Sequence, residues 1–441
     1  MASLSDDAIA ALVRADRVHR RLYTDPAVFA LEMDRIFGRS WIYVGHESMA
    51  RRAGDFFLAQ VGREPVVITR DERGDLRGLI NRCPHRGARV CSAPRGNARH
   101  LSCPYHAWTF RMDGTLEALP LRDGYPDAFD LADPANAMAR VARIATYRGF
   151  IFASLAADGP DLAAHLGPMA EALDNMVDRS PSGALEAAGG GFRQEYAGNW
   201  KLHMENATDL VHPGVVHESS VASARGHRAG TAGDVAESQP IQMYKANGLG
   251  MRAWDGVPLL GFPQGHCTMG SFYREGTIAP DREDPAFRDY RAALGARLGP
   301  EQAERVLARR SFNNLIYPNL SVNPPFQTLR FIQPVAVDRT VVHSACFRMV
   351  GAPDALFHQT ITFLSTASSP ASLVATDDME TFERCQAGLQ AAGHEWVNIG
   401  RNLERDVRAP DGALHATGTS EMAIRVQYGA WLRCMTGSAG Q

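Results

Sequence analysis

Two short segments carry residue types that hold metals. Cys83-Pro84-His85 is followed, after seventeen intervening residues, by Cys103-Pro104-Tyr105-His106. Two Cys-His pairs on two loops can set four ligands around metal. One outcome is tetrahedral zinc. The other is a [2Fe–2S] cluster in which two thiolates hold one iron and two imidazoles hold the other, which raises its potential above that of an all-cysteine cluster. Further along, residues 199–217 read NWKLHMENATDLVHPGVVH. Asp209 and His212 are three apart and share a helix face. His217 lies five beyond His212, and five residues of continuous helix leave two side chains about 140° apart. That is poor for one metal. Pro213 cannot continue the hydrogen-bond ladder, however, and Gly214 frees the backbone, so the helix can bend or end there and swing His217 back. Two imidazoles and a carboxylate from elsewhere would make the facial triad of a non-haem Fe(II) site, with positions left open for O2 and water. Solvent contact or a core hydrogen bond accounts for two histidines near a helix end equally well.

The elements that must position these residues fall into distinct textures. The first forty residues read as helix. Thr24-Asp25-Pro26 is a start signal, after which Phe29, Met33, Ile36 and Phe37 fall on one face. From Trp41 to about Phe152 the pattern changes to short strands such as WIYVGH, PVVITR, LRGLIN and GFIFASL, with hairpin turns at 71–75 and 111–114. A small all-β domain fits this stretch. Residues 155–190 are rich in Ala and Gly, with a helix expected near 161–177 and a flexible joint at Ala187–Gly191. A helix is expected within 193–212. The run 218–250 reads as one long loop of the kind that forms a lid or an entrance. Residues 284–311 read as helix broken at Gly299-Pro300, residues 329–349 as strands, residues 378–391 as helix, and GTSEMAIRVQYGAWLRCM as a final amphipathic helix.

Composition bounds the rest. The chain has 441 residues, enough for two or three domains. A hydrophobic share of 45% with 22% charged residues belongs to a globular protein. The net charge of −3 gives no overall basic footprint for nucleic acid. No apolar run of about 18 residues exists to span a membrane. The start, MASLSDDAIAALVRADRVHRR, lacks the pattern of a secretory signal. Seven cysteines in a chain this long do not suggest a disulfide framework, and the expected location is the cytoplasm. Cys91, Cys267, Cys346, Cys385 and Cys434 are expected to be small buried apolar residues.

The flanking residues carry a resemblance. CPHRG and CPYHAW are similar to Rieske cluster loops, and NWK-x3-EN-x2-D-x2-H-x4-H downstream resembles the mononuclear-iron signature of Rieske oxygenase α subunits, as in aromatic-ring-hydroxylating dioxygenases. YTDPAVFALEMDRIFGRSWIYVGHES resembles that family's N-terminal segment. NNLIYPNLSVN and LRFIQPVAVDRT resemble its catalytic sheet. The resemblance implies an α+β fold: an all-β Rieske domain plus a helix-grip-like catalytic domain with an antiparallel sheet covered by helices. Residues 1–40 would be an N-terminal helical segment packing on the catalytic domain, 41–155 the Rieske domain and 156–441 the catalytic domain. Cys83, His85, Cys103 and His106 would hold one [2Fe–2S] cluster. His212, His217 and a carboxylate would hold one Fe(II). The family places that carboxylate in an acidic pair followed by Glu and Gln, which Asp377-Asp378 with Glu383 and Gln386 fits. Asp378 is then the ligand, Asp377 sits nearer the helix cap, and Glu380 is the fallback. Asn206 would line the site near iron. Asp209 would carry electrons from His106 of a neighbouring subunit to His212.

The resemblance further implies the terminal oxygenase α subunit of a dioxygenase. Electrons would come from a separate NAD(P)H-dependent reductase, with or without a ferredoxin, because the chain lacks a nucleotide-binding fingerprint. The path between chains implies a homotrimer, α3 or, with a small β subunit, α3β3. The Glu205 to Asp209 spacing is that of the benzoate, anthranilate, salicylate and terephthalate branch. It points to an aromatic carboxylate, with Arg252, Arg330 or Arg348 as a bidentate clamp, and the resemblance implies hydroxylation to a cis-dihydrodiol. Residues 218–270 match no pattern and are expected to shape the pocket. A Rieske monooxygenase or demethylase is the rival within the family. A zinc-stabilised binding protein without redox chemistry is the rival outside it.

Overall fold

The computed structural model describes residues 4–226, 238–271 and 282–437. The chain forms two compact units, Met33–His165 and Met1–Glu32 with Leu166–Gln441.

The first unit is built from short antiparallel strands. Asp55–Val61, Glu64–Arg70 and Leu76–Ile80 form consecutive hairpins. The turn expected at 71–75 closes the second one, with Gly74 at φ +85°, a left-handed position that suits glycine. Gly114, at φ +92°, does the same at the other expected turn. Cys83, Cys103, Trp108 and Phe110 belong to one buried core, so the two Cys-His loops rise directly from packed side chains. Cys91 sits in that core, where burial pushes its thiol up to about 11. It is the inert apolar residue expected.

The second unit is organised by a nine-stranded antiparallel sheet among the described residues. Counted from one edge, its first five strands are Leu185–Tyr196, Arg339–Met349, Thr328–Ala336, Leu320–Asn323 and Phe312–Ile316. Helices Asp354–Ser368, Ala375–Leu389 and Met422–Thr436 belong to the same unit. This is the α+β plan expected. Three local expectations give way. Ala187–Gly191 is not a joint: it lies inside strand Leu185–Tyr196, where its small residues accommodate a register shift against the neighbouring strand. The run 218–250 is not one loop: it contains helices Glu218–Gly226 and Gln239–Asn247, while 227–237 lies outside the described residues. The first forty residues are not all helix: Arg17–His19 pairs as a strand with Trp396–Asn398. The break at Gly299-Pro300 stands, between helices Pro285–Leu298 and Pro300–Ala308.

Buried polar groups tie the ends of the chain to the helix Trp200–Asn206. Glu32 is fully buried and accepts hydrogen bonds from Lys201 Nζ (2.6 Å), Trp200 Nε1 (2.8 Å) and Trp431 Nε1 (2.7 Å). A buried carboxylate with three donors, one of them charged, is compensated; removing one partner would strand it. One turn along, Glu205 accepts from Tyr23 Oη (2.8 Å) and from Tyr428 Oη. Burial pushes Glu205 up to about 7, above its ordinary 4.5, although both tyrosines and Lys201 favour its charge. A carboxyl whose folded pKa is raised holds its proton longer in the folded chain. Its contribution to stability is therefore complete below about pH 4.5 and is lost as pH rises through about 7. Gln cannot ionise. Glu205→Gln should melt with the wild type below about pH 5 and above it at pH 8, by an amount of order 3 kcal/mol. Thermal melts of both proteins across that range check this, and parallel curves at all pH values would refute it.

Candidate metal centres and their cavity

The cysteine loops are built alike. In the first, the Cys83 N–H donates to Ala88 O (2.8 Å) and the Gly87 N–H to Cys83 O (2.9 Å). In the second, the Cys103 N–H donates to Trp108 O (2.8 Å) and the Ala107 N–H to Cys103 O (3.0 Å). Gly87 at φ +76° and Ala107 at φ +52° are the matching left-handed residues. The strain that an alanine accepts there is tolerated where the fold over-determines the loop. Each loop therefore presents its Cys inward and its His outward. The two thiols are buried and lie against one another. The His85 and His106 rings are 4.7 Å apart between centroids, and His85 stacks on Trp108 at 5.1 Å. Desolvation, with the charges of His106 and Arg86, lowers the His85 pKa, so the ring is neutral and can act as a ligand. Its Nδ1 is buried without a hydrogen-bond partner, which is the condition of a ligand atom awaiting metal. Asn81 braces the base of the first loop by accepting from the Val90 and Cys91 N–H groups and donating to Cys91 O. Two thiols on one side and two imidazoles on the other fit a two-iron cluster of the Rieske type.

The second centre is assembled from two distant stretches. Asn199 caps helix Trp200–Asn206 through the Lys201 N–H (3.2 Å). That helix ends at Asn206, before Asp209, so Asp209 and His212 do not share a helix face. Their nearness comes from a turn instead. Asp209 accepts the N–H of Val211 and of His212, both at 3.1 Å, and His212 Nδ1 lies 3.2 Å from its Oδ2. Pro213 starts a short helix, Pro213–Val216, rather than ending a long one, and His217 follows at its C-terminus. This brings the His212 and His217 ring centroids to 5.4 Å.

The carboxylate comes from helix Ala375–Leu389. Its buried face is Asp378, Phe382 and Gln386 at i, i+4 and i+8; Cys385, expected to be buried, is exposed. Cys434 is only half-buried, whereas Cys267 and Cys346 are buried as expected. Asp377 does not cap the helix. Ser372 meets the Ala375 N–H (2.9 Å), and Asp377 accepts from Ser219 Oγ (2.9 Å). Glu380 lies on the outer face, paired with Arg384. Asp378 alone faces the Nε2 atoms of both histidines, its Oδ1 lying 3.6 Å from His212 Nε2 and 3.4 Å from His217 Nε2, whereas Asp377 Oδ2 stands 3.7 Å from His217 Nδ1 on the far side of that ring. Among the described residues these three form a cluster whose ligand atoms all lie within 4.8 Å of one another. The Asn206 amide donates to Asp378 Oδ1 (2.9 Å) and faces His212 Nε2 (3.1 Å), so a positive hydrogen-bond dipole already sits where a cation would. Burial keeps His217 neutral against the pull of Asp378. The donor set fits a non-haem Fe(II) facial triad.

Asp209 is the orienting group behind His212. Burial would raise its pKa, but the hydrogen bond and charge of His212, the Val211 N–H and Arg401 outweigh it and hold the carboxyl at about 2. An ionised Asp209 keeps the His212 proton on Nδ1 and leaves Nε2 free for metal. Arg401 was not anticipated. Its Nη2 donates to Asp209 Oδ1 (3.0 Å), and its Nε is held by Thr419 O (2.7 Å). No local signal in sequence links residues 192 positions apart.

A cavity of about 380 Å³ opens on this centre, within the range of small-molecule sites. Asn206, His212, His217 and Asp378 line one end, and Trp254, Phe312, Phe326, Leu329 and Phe363 wall the rest. Helix Gln239–Asn247 and the following turn contribute Met243, Asn247 and Leu249, so part of the unpatterned 218–270 stretch does shape the pocket. Of the three candidate arginines only Arg330 lines it. Arg252 is exposed beside Asp255, and Arg348 pairs with Asp354.

Comparison with known proteins agrees with this geometry. Residues 40–134 match the Rieske [2Fe-2S] domain, and residues 184–411 match the ring hydroxylating alpha subunit catalytic domain. The 2-halobenzoate 1,2-dioxygenase large subunit of Burkholderia cepacia is 32% identical over 92% of this chain and 84% of its own length. Toluate 1,2-dioxygenase subunit alpha of Pseudomonas putida is 33% identical over 90% of this chain and 83% of its own. A naphthalene 1,2-dioxygenase structure with phenanthrene bound superposes with a TM-score of 0.83 at 21% identity, covering 98% of this chain and 95% of that one, which establishes the shared fold. Two matched cysteine-histidine loops and a two-histidine, one-carboxylate centre, on a chain with these relatives, leave no place for the colourless zinc protein: the chain belongs to the ring-hydroxylating dioxygenase α subunits, O2-using oxidoreductases that carry a Rieske [2Fe–2S] cluster and a mononuclear iron.

Proposed function

We propose that this chain is the terminal oxygenase that converts an aromatic carboxylate to its cis-dihydrodiol. The observation that carries the reading is the convergence of His212, His217 and Asp378 at one end of a cavity whose other walls are apolar and aromatic. The names of its relatives, a 2-halobenzoate and a toluate 1,2-dioxygenase, support a carboxylated ring.

In this reading Cys83, His85, Cys103 and His106 hold the cluster, and His212, His217 and Asp378 hold the iron. The cluster supplies single electrons, and the iron supplies the site at which O2 is reduced. The chain's own residues do the positioning. Asp209 fixes the His212 tautomer and offers the hydrogen-bonded route by which the two centres of neighbouring subunits communicate. Arg401 keeps Asp209 ionised and in place. Phe312, Phe326 and Phe363 exclude water and grip the ring. Asn206 holds Asp378 from the cavity side. The partners are an NAD(P)H-dependent reductase, directly or through a ferredoxin. The assembly is a homotrimer, α3 or α3β3 with a small β subunit, in the cytoplasm. No helix among the described residues is long and apolar enough to cross a membrane.

Three measurements test this. Asp378→Ala should lose mononuclear iron and keep the cluster by metal and sulfide analysis; retained iron would transfer the ligand role to Asp377 or Glu380. Asp209→Asn should retain both metals while turnover falls at least about tenfold, as for other groups that orient a metal ligand; normal turnover would remove Asp209 from the route. For the substrate class, the iron-loaded protein is reduced chemically, given O2, and offered benzoates, salicylates, anthranilates, phthalates and neutral arenes, with products read by mass spectrometry. Hydroxylated acids are expected. Products from neutral arenes alone would keep the enzyme class and discard the carboxylate.

A further inference from the structure

Arg330 is placed in an unusual electrostatic position. It sits on the central strand Thr328–Ala336, between Ser321 and Ser344 on the neighbouring strands, and lines the cavity that holds His212, His217 and Asp378. A guanidinium has five N–H donors and cannot shed its charge at ordinary pH. Among the described residues Arg330 makes one hydrogen bond, from Nη2 to Asn313 Oδ1 (2.9 Å), and no carboxylate lies within ion-pair distance. Asn313 is neutral. It stands at φ +45°, a left-handed conformation that asparagine adopts more readily than most residues, and so presents its side-chain oxygen to the arginine.

Of the other carboxylates that line the cavity, Asp209 is already paired with Arg401. Asp378 is near enough to act on Arg330 electrostatically, but it is the proposed metal ligand, and a divalent cation carries more charge than that single carboxylate can neutralise. His203 is buried nearby with Nε2 unpartnered, and burial together with the charge of Arg330 holds it neutral, down to about 3. Arg330 therefore brings to the cavity a positive charge with no carboxylate paired to it among the described residues, and Arg310 lines the same cavity. Phe312 and Leu329, the chain neighbours of Asn313 and Arg330, line the same cavity, so an anion bound there has an apolar wall beside it.

We propose that Arg330, held by Asn313, is the residue that binds the carboxylate of an arylcarboxylate substrate and sets the enzyme's preference for acids over neutral arenes. This rests on the carboxylate reading above and names the group that enforces it. A guanidinium pairs with a carboxylate in bidentate fashion, fixing the ring's orientation as well as its affinity.

The test uses the holoenzyme without O2, so that binding is read apart from turnover. Whichever of benzoate, salicylate or anthranilate the wild type hydroxylates is titrated calorimetrically, with toluene as the neutral reference. Arg330→Gln keeps a donor to Asn313 and removes the charge. Its Kd for the acid should rise at least about tenfold, the loss expected of a charge-assisted hydrogen bond, with toluene binding and iron content unchanged. Arg330→Lys should fall between. Asn313→Asp approaches from the other side: it suits the same backbone and supplies Arg330 with an internal counter-ion, so it too should weaken acid binding without loss of fold. Acid binding within about twofold of wild type in both Arg330→Gln and Asn313→Asp overturns the role of Arg330 and leaves the carboxylate reading standing. A wild type that takes only neutral arenes overturns both.

Discussion

The active end of this molecule depends on holding one carboxylate at a fixed distance from two imidazoles that come from another part of the chain. Asp378 lies on a helix, and His212 and His217 lie in turns; neither stretch brings the other into register by itself. The register comes from two hydrogen bonds further along the carboxylate helix. Glu383 accepts the Ala197 N–H (3.1 Å), and Gln386 accepts the Asn199 N–H (3.0 Å) while its amide donates to Tyr23 O. Asn199 in turn caps the helix that ends in Asn206, and Asn206 donates to Asp378. The loop of contacts closes on itself. Asp378, Phe382 and Gln386 share one face, so the residue that binds and the residue that aligns are set by the same helical period.

A second requirement is charge. A buried carboxylate is tolerated only when paired, and a pairing that is too strong would block metal. The chain separates the two tasks. Glu32 is satisfied permanently by Lys201 and two indoles and serves packing. Asp209 is satisfied by Arg401 and His212 and serves orientation. Asp378 has only the neutral Asn206 amide as a strong partner, with the two imidazoles at longer range. Of the three it is the one whose partner can be displaced by a cation without stranding another charge. Glu32, Asp209 and Asp378 thus differ in function because they differ in counter-ions.

What could be read from sequence follows the same divide. The cysteine-histidine loops and the His212/His217 segment were legible because their ligands are close in the chain, and a short spacing constrains geometry. Even there the local picture differed: Pro213 begins a helix, and the nearness of Asp209 to His212 comes from an Asp-centred turn. Asp378 was reachable only through a family pattern, since nothing in its own neighbourhood distinguishes it from Asp377 or Glu380. The helices at 218–226 and 239–247 were hidden because small and polar residues give them weak apolar faces, so periodicity had little to register. Ala187–Gly191 misled for a related reason: runs of Gly and Ala suit a joint and a bulged strand equally, and only the partner strand decides. Arg401 and Asn313 left no trace, because their roles exist only once distant segments meet.

This divide also separates reaction from selectivity. The ligands come from motif segments whose geometry tolerates little change. The cavity walls come from elsewhere: Trp254 from a turn after the helix Gln239–Asn247, Phe363 from helix Asp354–Ser368, and Phe312, Leu329 and Arg330 from the sheet. Wall residues on helices and turns can change size without moving the iron ligands. Arg330 differs from them, because a charge on a central strand, braced by Asn313, cannot swing away as a loop arginine can. The shape of the substrate is thus read by replaceable apolar walls, and its charge by a strand paired on both sides within the sheet. That division lets one scaffold alter which ring it accepts while continuing to demand an anion.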